Sequence, residues 1–487
     1  MPSTLRLFLI AVAIAALALR LAFLDTLPGV NGDEAWYGLW VLRCVHEGVC
    51  PLRTPSGNLV NPFYMVLVAI FQTVIGIPSV LALRLPAVVG GLGFVAAAYG
   101  LCRAAIGRNA ALIFALLAAA LPIDIAYSRY GWDTAEMGLA ATLVLATALR
   151  GRWLLAVLAL AASLLVHPTG VFLLPIMLML LLRETAEERR TPTRNLVLAG
   201  IFFICAAAGT AVGIGLHDKL SLGLPNPPFG ASYALTVTAG IVHVFSGATI
   251  AAYLSGGNPG WGVDLFTGAV LVLAVLILAR RIPADAESIE TATLFGVLLS
   301  VLAFGLVGGP VALSPGWERY AMVLVAPVLL IVALALNRAA PTRPQAAVTA
   351  AALLGTVWMV SFFAAYMLAM LRSGGREADP ATAGYGDPKQ QAAVFLAVES
   401  AGRPSLVAGE NWWITEPLLY FTYGKPPLRV IDAAAVEDWN AVTDAVTFPG
   451  SALDRRFAET RQPQHIIRDR GGRPAIDVWH LRDTVTQ

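Results

Sequence analysis

The sequence predicts a polytopic α-helical membrane protein of about 11 transmembrane helices, with a small extracytoplasmic α/β domain at its C-terminal end. Two observations carry this. Of the 487 residues, 57% are hydrophobic and only 13% charged, against roughly 25% charged in soluble domains. Nearly uncharged runs of about twenty residues, enough to cross a hydrocarbon core, recur to about residue 371 and then stop. The chain therefore divides into a membrane part, 1–374, with a first outer loop over 25–82, and a soluble part, 375–487. A formal net charge of +2 with no long block of Lys and Arg gives no footing for a nucleic-acid partner.

Spans are expected at about 5–24, 83–102, 109–126, 134–149, 153–166, 168–183, 195–216, 264–280, 291–308, 319–337 and 346–371. The run at 153–166 is short for one. The run at 5–24 is longer than the roughly 7–15-residue core of a signal peptide and carries Arg20, so it reads as a retained anchor. Arg103 and Arg108, Arg150 and Arg152, Arg183, Arg189, Arg190 and Arg194, Arg280 and Arg281, and Arg338 and Arg343 fall on one side of this threading. The positive-inside rule makes that side the cytoplasm, with the N-terminus inside and the C-terminus outside the plasma (bacterial inner) membrane. The apolar run at 62–77 would reverse every later loop if it crossed, so it is laid in the outer interface. Asp33-Glu34, Asp133, His167, His217, His243 and Glu318-Arg319-Tyr320 then gather on the outer face. Polar groups collected on one face of an apolar protein mark a site.

In the soluble part, strands are expected over 405–408, 428–431, 465–468 and 475–481, with helices over 388–401 and 412–423. No GxGxxG or P-loop is present; Gly424-Lys425-Pro426-Pro427 is a turn, because proline breaks the helix a P-loop needs. GxSxG and HExxH are also missing, which removes support for the common hydrolases. Gly209 and Gly213 have the spacing of close helix packing. Cys44 and Cys50 lie in the first outer loop, where an oxidising compartment would allow pairing, although spacing alone does not fix the geometry. Cys102 and Cys205 sit in apolar runs as packing residues.

The chemistry centres on Asp33 and Glu34, in Val30-Asn31-Gly32-Asp33-Glu34-Ala35-Trp36-Tyr37. Adjacent carboxylates at a membrane surface raise the pKa of at least one, which suits a general base near neutral pH. A helix cap is the plainer alternative for the same pair. Trp36 and Tyr37 offer rings for a sugar to stack on. Asp133 stands between two apolar runs, as a second acid or an N-cap. Arg129, four residues before it, can bind phosphate or Asp133 itself. Arg84 enters a span from outside, and pairing with an acid or a lipid phosphate, or reaching the headgroups, would satisfy it. His167 is a phosphate or metal ligand, or a structural histidine. Arg319 can hold a phosphate or anchor its span at the interface. A divalent metal is a possible cofactor; His217 and His243 are its candidates, though their spacing makes no motif.

The order of these pieces resembles a known family. An Asp-Glu pair before two aromatics follows the first span, then come an Asn-Pro before an interfacial helix (Asn61-Pro62) and an Arg-Leu-Pro entry (Arg84-Leu85-Pro86). Ser128-Arg129-xxx-Asp133 and a late Arg319-Tyr320 complete it. This resembles the GT-C glycosyltransferases, in the branch containing protein O-mannosyltransferases and the lipid A aminoarabinose transferase, over about 1–340 and most strongly over 20–140. The resemblance implies a GT-C-like membrane domain and a polyprenyl-phosphate-linked sugar donor used at the outer face. The acceptor would be a hydroxyl of a cell-envelope lipid, a glycan or a protein, with inversion at the sugar. It places Asp33 as the base or the group that orients the acceptor, with Glu34 beside it, and Asp133 as the second acid. Trp36, Tyr37, Asn61, Arg84, Arg129, His167, Arg319 and Tyr320 become candidate substrate-binding residues.

One departure stands out. Relatives often carry a phosphate-binding Lys before the interfacial helix, where this chain has Val60-Asn61-Pro62-Phe63. Arg53 or Arg84 would have to take that role, and His167 stands where another Lys is common. Competing readings are a surface-polysaccharide polymerase or ligase, a transporter or flippase of lipid-linked sugars, and a scaffold with a partner-binding tail. A transporter would carry repeated halves around a midplane site, and neither is visible here.

Overall fold

The computed structural model describes residues 2–187, 230–280, 288–374, 387–400, 402–425 and 428–482. The expected span at 195–216, with Cys205, Gly209, Gly213, His217 and the basic residues at 189–194 and 281, lies outside these.

The expectation of about 11 spans is corrected by the structure. Among the described residues six helices are long and apolar enough to cross a membrane, or seven if the bent pair Ala231–Ser246 and Ala248–Ser255 counts as one span. The six are Ser3–Leu21, Val80–Ile106, Trp261–Ala279, Ile289–Gly308, Glu318–Ala339 and Pro344–Ser373. The other expected spans are interrupted. Pro122 opens a separate six-residue helix after Arg108–Ala120, Asp133–Glu136 is a 3-10 turn ahead of the twelve-residue Met137–Ala148, and His167-Pro168 ends Trp153–Val166. Helices of 12–14 residues cover about 20 Å at 1.5 Å per residue, against a core of about 30 Å. Their apolarity serves the protein interior in part: Ala110, Ile113, Phe114, Leu117 and Ala118 are all buried in the main core. Hydropathy cannot separate a core helix from a span.

Asn61 caps the helix Pro62–Ile75 by accepting from the Phe63 and Tyr64 N–H groups, and proline fits the first turn. At fourteen residues this apolar helix is too short to count among the spans.

The C-terminal residues form a five-stranded sheet of order β2-β1-β3-β5-β4, with β1 Ser405–Gly409, β2 Leu428–Asp432, β3 Asp444–Thr447, β4 His465–Arg468 and β5 Pro474–His480. β1 runs parallel to β2 and β3, whereas β5 is antiparallel to β3 and β4. Period-two alternation divides the faces. Val407, Val446, Ile476 and Val478 join Ile414 and Leu418 of the helix Trp412–Phe421, and the same core takes in Trp36, Tyr37, Leu39 and Tyr64 from the membrane part. Ala408, Ala445 and Trp479 face the other way, onto Phe457. The sheet is thus bound through one helical layer to the segment bearing the Asp-Glu pair.

The two ends of the helical bundle differ in charge. Arg6, Arg108 and Gln345 border one depression at the end where the first helix starts; near it Arg103 lies 5.7 Å over the Tyr99 ring and Arg150 donates to the Leu101 carbonyl. The other end carries the acids and the sheet. Cys44 and Cys50 are joined there by a disulfide, and Cys102 is free and buried.

Candidate active site

The helix Gly32–Glu47 begins with a capping box: the Glu34 N–H donates to Asn31 Oδ1 at 3.0 Å, and the Asn31 N–H donates to Glu34 Oε1 at 3.1 Å. Glu34 is fully buried, and its carboxylate accepts two further bonds from Arg84, Nε at 3.0 Å and Nη2 at 2.7 Å. The Gly131 N–H adds a fourth at 3.0 Å, and a Cβ at Gly131 would collide with the Glu34 side chain. Trp132 Nε1 donates to Asn31 Oδ1 at 3.1 Å. Asn31 and Glu34 therefore clasp the segment 128–133 against the first loop, and of the acidic pair only Asp33 is left facing the open pocket.

That pocket, of about 390 Å³, is lined by Asp33, Trp36, Tyr37, Trp132, Asp133, His167, Trp317, Arg319, Tyr320 and Trp412, with the loop residues Thr54, Pro55, Ser56, Asn58 and Leu59 at its rim. Its size falls in the range of small-ligand sites. Asp33 remains 35% exposed, and Arg319 Nη1 lies 3.9 Å from its Oδ2. The Arg319 guanidinium is held over three rings, 4.8 Å from Trp132 and 5.3 Å from both Trp317 and Tyr320. Beneath it Glu318 is buried and accepts from the Tyr127 hydroxyl at 2.9 Å.

Asp133 begins the 3-10 turn but does not cap it; Trp132 holds the N-cap position, and no side chain caps the turn. Asp133 Oδ2 accepts from the Tyr37 hydroxyl at 2.7 Å. Burial pushes the Asp133 carboxyl up to about 6, with the bonds from Tyr37 and the Thr134 backbone and the charge of Arg319 opposing the rise. The Tyr37 phenol is raised well above its usual value by burial and by Asp133, so it stays a donor. His167 Nδ1 accepts from the Thr169 N–H at 3.2 Å, which leaves the ring proton on Nε2. Burial and Arg319 press its pKa down to about 3, so the imidazole is neutral.

Several expected ligands lie elsewhere. Arg84 is spent on Glu34 and the Leu24 carbonyl. Arg129 is buried and donates to the carbonyls of Leu19 at 2.7 Å and Leu27 at 2.8 Å. Neither lines the pocket. An arginine inside an apolar bundle needs internal acceptors, and carbonyls in the last turn of the first helix and in the segment just after it supply them. Asn61 donates to Glu136 Oε2 at 2.8 Å and is fully buried. Arg53 points to the Gly57 carbonyl on the rim loop. His243 pairs with Asp264 at 3.7 Å, away from the pocket. Among the described residues no three His, Cys, Asp or Glu side chains converge as a metal site requires.

Trp132, Trp317 and Trp412 were not expected at the site. Trp412 comes from the C-terminal part, and its indole Nε1 donates to Asp33 Oδ1 at 3.1 Å. Nothing in the sequence links residues 379 positions apart.

No known protein family matches the sequence, and no curated protein does. Solved structures do resemble the fold. ArnT from Cupriavidus metallidurans, in the apo state, superposes with a TM-score of 0.58 at 15% identity, covering 98% of each chain. The same protein bound to undecaprenyl phosphate gives 0.58 at 15% identity over 100% of both chains. The apo oligosaccharyltransferase of Archaeoglobus fulgidus gives 0.52 at 15% identity, covering 91% of this chain and 69% of that one. At such identities the likeness is one of fold: this chain is a polytopic helical membrane protein that shares the overall fold of those structures.

Proposed function

We propose that the protein transfers a sugar from a polyprenyl-phosphate carrier to a hydroxyl acceptor on the extracytoplasmic face of the membrane. One observation carries this reading: two carboxylates, Asp33 and Asp133, share a single aromatic-walled pocket with the fixed cation Arg319. Asp33, open to solvent and 3.9 Å from that cation, takes the proton of the acceptor hydroxyl as its oxygen attacks the anomeric carbon. The bond from that carbon to the phosphate oxygen breaks, and prenyl phosphate leaves toward Arg319, whose charge stabilises it. Attack opposite the leaving group inverts the anomeric centre. Trp36 and Trp317 give the sugar apolar surface, and Asp133 with Tyr37 binds its hydroxyls.

Arg319 also answers the missing lysine beside Asn61. With Arg84 and Arg129 spent inside the protein, Arg319 is, among the described residues, the cation lining the pocket that the phosphate meets, and the His167 Nε2–H adds a neutral donor. Undecaprenyl phosphate bound to a protein of this fold supports a carrier of that class. The placement outside the cytoplasm rests on the basic residues at the opposite end of the bundle and on the disulfide at the site end.

The experiment is to incubate membranes containing the protein with a panel of tritiated undecaprenyl-phosphate-linked hexoses and pentoses. The expected result is consumption of at least one donor by wild type and none by Asp33→Asn. Full transfer by Asp33→Asn removes Asp33 from the chemistry, and a wild type that consumes no donor sinks the reading.

A further inference from the structure

Asp33 is held from two sides by residues far apart in the chain. One is Arg319 of the membrane part, near Oδ2; the other is Trp412 of the C-terminal part, whose indole N–H donates to Oδ1 at 3.1 Å. Trp412 starts the helix Trp412–Phe421, capped by Asn411, whose Oδ1 accepts the Trp413 N–H. This helix lies along Gly32–Glu47, and two glycines make the approach possible. A Cβ at Gly32 would collide with the Trp412 indole, and one at Gly38 with the Tyr420 and Leu83 side chains. The contact is fastened at two more points. The Tyr420 hydroxyl accepts the Ser79 N–H and donates to the Ser79 carbonyl, both at 3.0 Å. The buried Lys389 ammonium donates to the Val30 carbonyl at 2.6 Å, three residues before Asp33. The loop bearing the base is therefore clamped by the C-terminal part, and the clamp ends in a directional bond to the reacting carboxylate.

We infer that Trp412 is a positioning residue for the transfer, holding the Asp33 carboxylate through its indole N–H, so that the C-terminal part completes the catalytic centre. The inference rests on the glycosyl-transfer reading above. A carboxylate on a helix-start side chain can rotate about χ2. The Trp412 bond takes one lone pair of Oδ1 and sets the plane of the group, leaving the other lone pairs directed at the pocket. Such orientation of a base acts on the chemical step. It leaves ground-state binding of the prenyl-phosphate donor, which Arg319 governs, unchanged.

The test compares Trp412→Phe, which keeps an aromatic ring and removes the N–H, with wild type, using the donor that wild-type membranes consume. Hydrogen bonds to charged groups correspond to roughly tenfold effects or more in rate. The expected result is kcat lowered by about that factor, with the donor KM unchanged. In an Asp33→Glu background, where the carboxylate is displaced from the indole, Trp412→Phe then adds no further loss. Tyr420→Phe, which loosens the same docking surface without touching Asp33, separates positioning from docking: it leaves the ratio of kcat to wild type near one. Three results overturn the inference: kcat of Trp412→Phe within twofold of wild type, the same added loss in the Asp33→Glu background, or the same kinetic change from Tyr420→Phe. Full activity of Asp33→Asn, by contrast, overturns the underlying function and this assignment with it.

Discussion

Glu34 and Arg84 form a two-pronged ion pair with no exposure on either side chain, Arg84 Nη2 lying 2.7 Å and Nε 3.0 Å from the two carboxylate oxygens. The pair ties the start of the Gly32–Glu47 helix to the helix beginning at Val80, and through the Gly131 N–H to the loop that carries Asp133. Its part is to hold the acids in register, and it touches no pocket surface.

Removing one partner strands the other charge in an apolar interior, at a cost of about 3–5 kcal/mol. Arg84→Met is therefore expected to lower the apparent Tm in detergent far more than Asp33→Asn does. The double variant Glu34→Gln/Arg84→Met is expected to recover part of the loss, because no uncompensated charge remains. An Arg84→Met protein that melts with wild type would show that the pair carries no structural burden.

Glu34 is a catalytic candidate by its sequence, yet the structure gives it the plainer alternative, a helix cap. Asn31-Gly32-Asp33-Glu34 forms a capping box, Asn at the cap and Glu three residues on, which turns Glu34 inward and leaves Asp33 facing the pocket. Asn61-Pro62 likewise read as a helix start. The strand at His465–Arg468 could be read from its composition, while Asp444–Thr447, only four residues and buried on both faces, lacked the alternation that marks a strand. Short apolar helices and spans look alike in sequence because burial in protein and burial in lipid select the same residues. Trp412 could not have been found, since its partner is fixed only by tertiary docking.

Asp133 gives a stability prediction with a definite sign. Burial raises its carboxyl from an ordinary value of 3.8 to about 6, so the folded state binds this proton more tightly than the unfolded chain. The stabilisation is complete below the ordinary value and is lost as pH rises through about 6. Asp133→Asn copies the neutral carboxyl and keeps an acceptor for the Tyr37 hydroxyl. It is expected to melt with wild type near about pH 4 and above it near about pH 7.5. A temperature offset that stays constant across that range would refute the assignment.

The disulfide offers a test of orientation. Cys44 and Cys50 lie at the site end, whereas Cys102 is buried. In right-side-out membrane vesicles treated with an impermeant phosphine, an impermeant maleimide is expected to label the protein. In a Cys205→Ser background the label should disappear in Cys44→Ser/Cys50→Ser. Labelling that requires permeabilised vesicles would put the pocket on the cytoplasmic side and remove the case for an extracytoplasmic carrier.

Arg319 sits among three aromatic rings and 3.9 Å from Asp33. A planar guanidinium stacks on such faces while its edge meets a phosphate with two parallel N–H groups; an ammonium does neither. Arg319→Lys keeps the charge and loses both features, so it separates charge from geometry. The expected result is binding of undecaprenyl phosphate weakened by about tenfold, the effect of losing one charge-assisted hydrogen bond, with the apparent Tm close to wild type. Tryptophan fluorescence is the natural readout, because Trp132 and Trp317 lie directly against the guanidinium. Affinity within twofold of wild type would mean that charge alone is recognised, and the aromatic cage would then serve the sugar instead of the arginine.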